Sequence, residues 1–146
     1  MELCPPVNGK VLDRCIESGD FDVVQVGYSL LNQAEEDRIA KARARGIGVL
    51  IRSGLAGGWL TSGALRTPVE QRPPGVNLLF DLCQGDAELV TALALHFIAR
   101  HDGVSSILVG SKSCENVMSA IRLTGAVVDQ GLLEKAVTIG RDSAKT

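Results

Sequence analysis

Three short apolar runs constrain this chain more than any other feature. Residues 22–28 (DVVQVGY), 47–51 (IGVLI) and 105–109 (SSILV) are rich in β-branched residues and nearly free of charge. Strands that read this way are covered on both faces, as in parallel sheets. Helical patterns separate them. Residues 9–19 place Val11, Leu12, Cys15 and Ile16 on one side, with Gly19 as the stop. Asn32 is the expected cap of a helix over 34–45, with Glu35 completing a capping box. Its acids (Glu35, Glu36, Asp37) fall in the first turn, its bases (Lys41, Arg43, Arg45) in the last, and Gly46 ends it. A helix over 87–101 is expected to start at Asp86, with Leu89, Leu93 and Phe97 in one line. Ser113 should cap another through Leu123, with Val117 and Ile121 inward, and a last helix over 129–141 uses Leu132, Leu133, Ala136 and Val137. Residues 53–85, dense in Gly and Pro, read as one long loop. Strands alternating with helices imply right-handed βαβ units and a parallel sheet. The pattern alone does not separate an open doubly wound sheet from part of a barrel, although the GxGxxG turn of a dinucleotide fold is absent.

Composition narrows the function classes. The chain has 146 residues, 45% of them hydrophobic, which suits one globular domain. Fifteen basic against seventeen acidic residues give a net charge of −2, so there is no electrostatic footprint for nucleic acid or an anionic membrane. Aromatics make up 3%, too few for stacking on bases. No apolar run approaches the roughly 20 residues that span a bilayer. The start, Met1 to Pro6, is expected to carry no secretory signal. Cys4, Cys15, Cys83 and Cys114 form no CxxC and read as reduced, cytoplasmic thiols, neither a disulfide frame nor a metal site.

Three strings resemble one family in the right order. Residues 21–32 (FDVVQVGYSLLN) look like the sixth strand of the aldo-keto reductase barrel. Residues 46–63 (GIGVLIRSGLAGGWLTSG) resemble its seventh strand and following loop, and 94–110 its seventh helix and eighth strand. The resemblance covers about residues 10–125. It implies an α/β fold: a partial (β/α)8 TIM barrel of the aldo-keto reductase type, with about three parallel strands and surrounding helices. A complete barrel takes about 250 residues, so residues 1–146 are expected to form a single truncated domain, the C-terminal part of the barrel.

The resemblance also implies a cofactor, NADP(H), at the C-terminal strand ends. Gln25 stands at the carboxamide-binding position. Arg52 stands where many members stack an aromatic residue on the nicotinamide; a guanidinium can stack there or reach a phosphate. Ser53 to Leu55 match a loop whose backbone N–H groups face the pyrophosphate, with Gly54 in place of the usual Pro. Gly110, Ser111 and Lys112 match the turn before the final barrel helix, where a phosphate would meet N–H groups and the positive helix end; Lys112 would meet the 2′-phosphate. Asn116 takes a position often Gln, and Ala120 one where Asn usually contacts adenine, so that contact is lost. Each site has a plainer alternative: a locally satisfied strand amide, an ordinary turn, a capped helix start.

The family's proton donor is a Tyr tuned by a Lys–Asp pair with a His nearby, all from the first four strands. None of those is expected here, so no residue is assigned as catalytic. Tyr28 is not at the catalytic position, and His96 and His101 fall on an outer helix. The chain is therefore expected to be the C-terminal portion of an NADP(H)-dependent carbonyl/alcohol oxidoreductase, inactive alone. The other reading is a non-catalytic interaction module acting through open strand edges. Val24, Val26, Val49, Ile51, Ile107 and Val109 are expected to face the barrel and be partly exposed, which recruits a partner. That partner is a complementary N-terminal barrel half or another copy, although two copies of three strands close only six.

Overall fold

The computed structural model describes residues 2–3 and 9–144. Cys4 and the rest of the N-terminal start beyond Glu2–Leu3 lie outside the described residues. The three expected strands are β2 (Val23–Gly27), β3 (Gly48–Arg52) and β4 (Ser106–Ile107), and a two-residue β1 (Glu2–Leu3) precedes them. All pair in parallel, in the order β1-β2-β3-β4. Six helices surround this sheet among the described residues: α1 (Gly9–Ser18), α2 (Glu36–Ala44), α3 (Val76–Leu82), α4 (Ala87–Ala99), α5 (Cys114–Thr124) and α6 (Gln130–Ser143).

Local chemistry explains most boundaries. Asp86, Ser113 and Asp129 cap α4, α5 and α6 by accepting the N–H groups of Leu89, Asn116 and Leu132. The chain turns left-handed at Gly46 after α2, with φ +73°, where a β-carbon would be strained. The capping box expected at Asn32 does not form. Asn32 exchanges two 3.0 Å backbone hydrogen bonds with Ser29 in a tight turn, so α2 begins later, at Glu36. The Glu35 carboxylate goes to Arg38 instead, at 3.1 Å.

The sheet's side chains alternate between two environments. Val24, Val26, Val49 and Ile51 are 0–3% exposed and lie under the helices. This reverses the expectation that they line the barrel. The opposite, lumen face carries Val23, Gln25, Gly27, Gly48, Leu50 and Arg52, all half-buried. The polar residues settle the parity: Gln25 and Arg52 keep access to water only if their neighbours turn inward.

Helix α4 is the centre of the helical layer, with Val90 through Leu95, Phe97 and Ile98 buried. Its neighbours α3, α5 and α6 pack on it. The segment read as a long loop is folded onto the same core. It makes three 3-10 turns, Ala56–Gly58, Ser62–Arg66 and Val69–Gln71, and then α3. Leu60 inserts fully, and its carbonyl accepts the buried Thr91 hydroxyl at 2.8 Å. Val76, Leu79, Phe80 and Cys83 form the buried stripe of α3 and its cap, a helical spacing hidden among the glycines and prolines. On α6, Gly140 lies so close to the Leu30 carbonyl that no β-carbon fits. Ile121 of α5 is 63% exposed rather than inward, and Val117 is half-buried.

Candidate functional site

The C-terminal ends of β2 and β3 open into a cleft of about 320 Å3 that contains Gln25, Gly27, Arg52 and Ser53. Register brings these residues together. Gln25 pairs with Leu50 and Gly27 with Arg52 across the two strands, and all four face the lumen. A β-carbon at Gly27 would stand 3.5 Å from the Arg52 guanidinium, an ordinary contact distance, so the cation passes over Gly27 with room for a methyl group between them. Arg52 has no acidic partner among the described residues. A half-buried, unpaired guanidinium is a strong donor to an anion or a stacking plate for a flat ring.

The loop after β3 turns sharply. Ser53 (φ 58°) and Ala56 (φ 50°) are left-handed without being glycine, which costs of order 1–2 kcal/mol each. The Ala56 N–H closes on the Ser53 carbonyl at 2.8 Å. The N–H groups of Ser53, Gly54 and Leu55 find no acceptor among the described residues. Leu55 keeps its side chain against the core, so what it offers at the surface is backbone. Gly54 is buried, and a β-carbon there would press within 2.7 Å of Ile98 Cδ1.

Gly110, Ser111 and Lys112 lie beyond the end of the neighbouring strand β4, on an exposed turn leading into α5, Asn116 lies in the first turn of that helix, and none of the four lines the cleft. The Ser111 hydroxyl accepts the Ser113 N–H at 3.1 Å and the Asn116 amide at 3.3 Å. Ser113 caps α5. The N–H groups of Gly110, Ser111 and Lys112 have no acceptor among the described residues, and Lys112 has no ion-pair partner there. Two turns at the C-terminal end of one sheet thus carry N–H groups without an acceptor among the described residues: Ser53 and Leu55 on one, with Gly54 buried between them, and Gly110, Ser111 and Lys112 on the other.

Tyr28 touches the cleft but belongs to the helical layer. Its ring stacks on Phe97, centroids 4.9 Å apart, and meets His101 edge-on at 5.9 Å. Burial, then the nearby Glu36, push its hydroxyl well above the ordinary tyrosine pKa. His101 is likewise tied up: Nδ1 accepts the Gly103 N–H at 3.0 Å, which leaves Nε2 to donate to the Glu36 carbonyl at 3.3 Å. Burial raises the Cys83 thiol to about 11, the opposite of an activated nucleophile. The sequence reading missed Ser29, Asn32 and Glu35, which also line the cleft. Their signal was positional, since all directly follow a strand whose C-terminal end faces the ligand side of a barrel.

The model of the aldo/keto reductase family matches residues 10–131. The pyridoxal 4-dehydrogenase of Microbacterium luteolum is 29% identical over 118 residues, covering 74% of this chain and 34% of that one. The L-galactose dehydrogenase of Arabidopsis thaliana is 29% identical over 141 residues, covering 88% and 43%. The chain thus spans less than half the length of these curated relatives. Among solved structures, the aldo-keto reductase AKR11C1 of Bacillus halodurans shares the fold in its apo form, with a TM-score of 0.71, 19% identity, and 94% of this chain against 48% of that one. Its holo form gives 0.68 over 94% and 47%. No helix among the described residues is long and apolar enough to cross a membrane. The chain belongs to the aldo/keto reductase family.

Proposed function

We propose that this chain is the cofactor-holding, C-terminal portion of an NADP(H)-dependent carbonyl/alcohol oxidoreductase, without turnover of its own and at work in the reducing cytoplasm. One observation carries the reading: Gln25 and Arg52 share the lumen face at the strand ends, and the Ser53–Leu55 turn continues directly from Arg52. The donor set fits a phosphate-bearing, flat-ringed group. Gln25 presents an amide that both donates to and accepts from a carboxamide. Arg52, half-buried beside it, takes a ring face or a phosphate. The backbone at Ser53–Leu55 and Gly110–Lys112 takes phosphate oxygens, and Lys112 adds a charge for the 2′-phosphate. The bound cofactor supplies the hydride. This chain holds and orients that group.

Carbonyl reduction also needs an acid for the developing alkoxide. Two described groups at the cleft are occupied otherwise: the Tyr28 hydroxyl is held far above the usual range and buried on the helix side, and the Glu35 carboxylate is paired with Arg38. The acid therefore comes from elsewhere, through a complementary N-terminal barrel half.

NADPH fluorescence titration tests this reading. Binding is expected, and Lys112→Ala should weaken NADPH more than NADH. Absence of binding at millimolar cofactor, or equal loss for both cofactors, would refute the assignment. No reduction of a generic aldehyde is expected from this chain; measurable turnover overturns the claim of inactivity.

A second reading, a non-catalytic interaction module, draws on the sheet itself. Its edges β1 and β4 are only two residues long and its lumen face is half-exposed.

A further inference from the structure

A second cavity lies in the helical layer, on the far side of the sheet from the lumen. It measures about 410 Å3, within the range of small-molecule pockets. Glu36 and Arg43 of α2 line one wall. Arg100, at the end of α4, and Asp102, in the turn beyond it, line the other, and Tyr28 and Phe97 form the floor. The helices on either side follow β2 and β3, the inner strands of the sheet. A barrel that continues past β1 or β4 therefore adjoins α1 and α5, not this gap.

Three groups in the cavity lack a partner among the described residues. Tyr28 is only 1% exposed, and its ring is held by Phe97 and His101, yet its hydroxyl makes no hydrogen bond there. That hydroxyl lies in the fields of Glu36, Arg100 and Arg141, which places it at this cavity. Arg43 donates to the Asp102 carbonyl but meets no carboxylate, and the Asp102 carboxylate meets no cation. The other charges are matched. Arg100 pairs with Glu134 at 2.6 Å, and Glu36 with Arg141 at 3.8 Å. His101 is a passive wall, with both ring nitrogens engaged.

We propose that this cavity binds a small zwitterion of the free amino-acid class, its carboxylate held by Arg43 and the Tyr28 hydroxyl and its ammonium by Asp102. An unpaired cation beside an unpaired anion selects a ligand that carries both charges. A simple anion would satisfy Arg43 but meet two carboxylates, Glu36 and Asp102, in the same space. A simple cation would meet two guanidiniums and leave the buried hydroxyl without an acceptor. Burial keeps the proton on Tyr28, so the group facing it is a donor suited to a carboxylate oxygen. The proposal stands on the helical layer and not on the cofactor reading.

Amide chemical shifts of the 15N-labelled full chain during addition of L-alanine test it. Saturable shifts are expected at Tyr28, along residues 36–43 and at 100–103. N-acetyl-L-alanine, which lacks the ammonium, and L-alaninamide, which lacks the carboxylate, should each bind about tenfold more weakly. Tyr28→Phe keeps the ring stack and removes only the hydroxyl. It should weaken L-alanine by about tenfold with unchanged circular dichroism. Asp102→Asn, on an exposed turn, should do the same while the NADPH titration stays as it was. Absence of shifts at tens of millimolar L-alanine would overturn the proposal. So would equal binding of the two single-charge analogues and the zwitterion, or an L-alanine affinity untouched by either substitution. NADPH reports on the lumen side, so failure here leaves the cofactor assignment standing.

Discussion

Alternate residues along β2 and β3 meet two different environments. On the helix side, Val24, Val26, Val49 and Ile51 are at most 3% exposed and wholly aliphatic. On the lumen side the same strands carry the polar Gln25 and Arg52, the glycines Gly27 and Gly48, and the aliphatic Val23 and Leu50, all half-buried. The first face is set by packing and the second by what must approach it. Stability and ligand chemistry therefore occupy opposite parities of the same five-residue strands, and substitutions one position apart should separate them.

The largest effect is expected on the helix side. Ile51→Ala should cost about 2–5 kcal/mol in denaturant unfolding. Leu50→Ala, its lumen-facing neighbour, should cost under about 1 kcal/mol. Equal losses would mean that the two faces are not distinct. The buried thiol of Cys83 gives an alkaline test of the same layer. Its pKa rises from 9.0 unfolded to about 11 folded, so the folded state holds the proton more tightly. That stability is fully present below pH 9 and is lost as pH rises from 9 toward 11. Cys83→Ala should flatten the alkaline decline seen in a pH series of unfolding curves; an unchanged slope would show that the thiol is already solvated. Next in size is the cap of the central helix, where Asp86→Ala should cost about 1 kcal/mol. A stability effect no larger than about 1 kcal/mol belongs to Gln25→Ala, yet NADPH titration should show a clear loss of affinity. Destabilisation of Gln25→Ala comparable to that of Ile51→Ala would assign the amide a structural role and break the comparison.

The sequence announced the helix caps and the strands for local reasons. Asp86 and Ser113 each cap a helix through a bond to the residue three positions on, as their spacing suggested; Asp129, expected as the first residue of its helix, caps α6 in the same way. Strand parity was hidden, because an aliphatic run such as IGVLI looks alike from either side. Gln25 and Arg52 carried the answer, since a lumen that holds Gln25 cannot also hold Val24. The helix α3 was masked by the punctuation around it: Pro73, Pro74 and Gly75 signal a turn, but the Val76, Leu79, Phe80 and Cys83 spacing signals a buried face. Asn32 misled because its backbone was already committed to Ser29. At the site, Gln25, Arg52 and Ser53 converge on one cleft, whereas Gly110, Ser111, Lys112 and Asn116 sit on a separate rim. Such a division depends on where two loops end in space, which spacing along the chain does not encode.

Amide chemical shifts of the 15N-labelled chain during addition of NADPH test the central claim most directly. The account predicts shifts at Gln25, at Arg52 to Leu55 and at Gly110 to Lys112, with α3 and α6 unmoved. A spectrum unchanged at millimolar NADPH, or changes confined to those two helices, would contradict it.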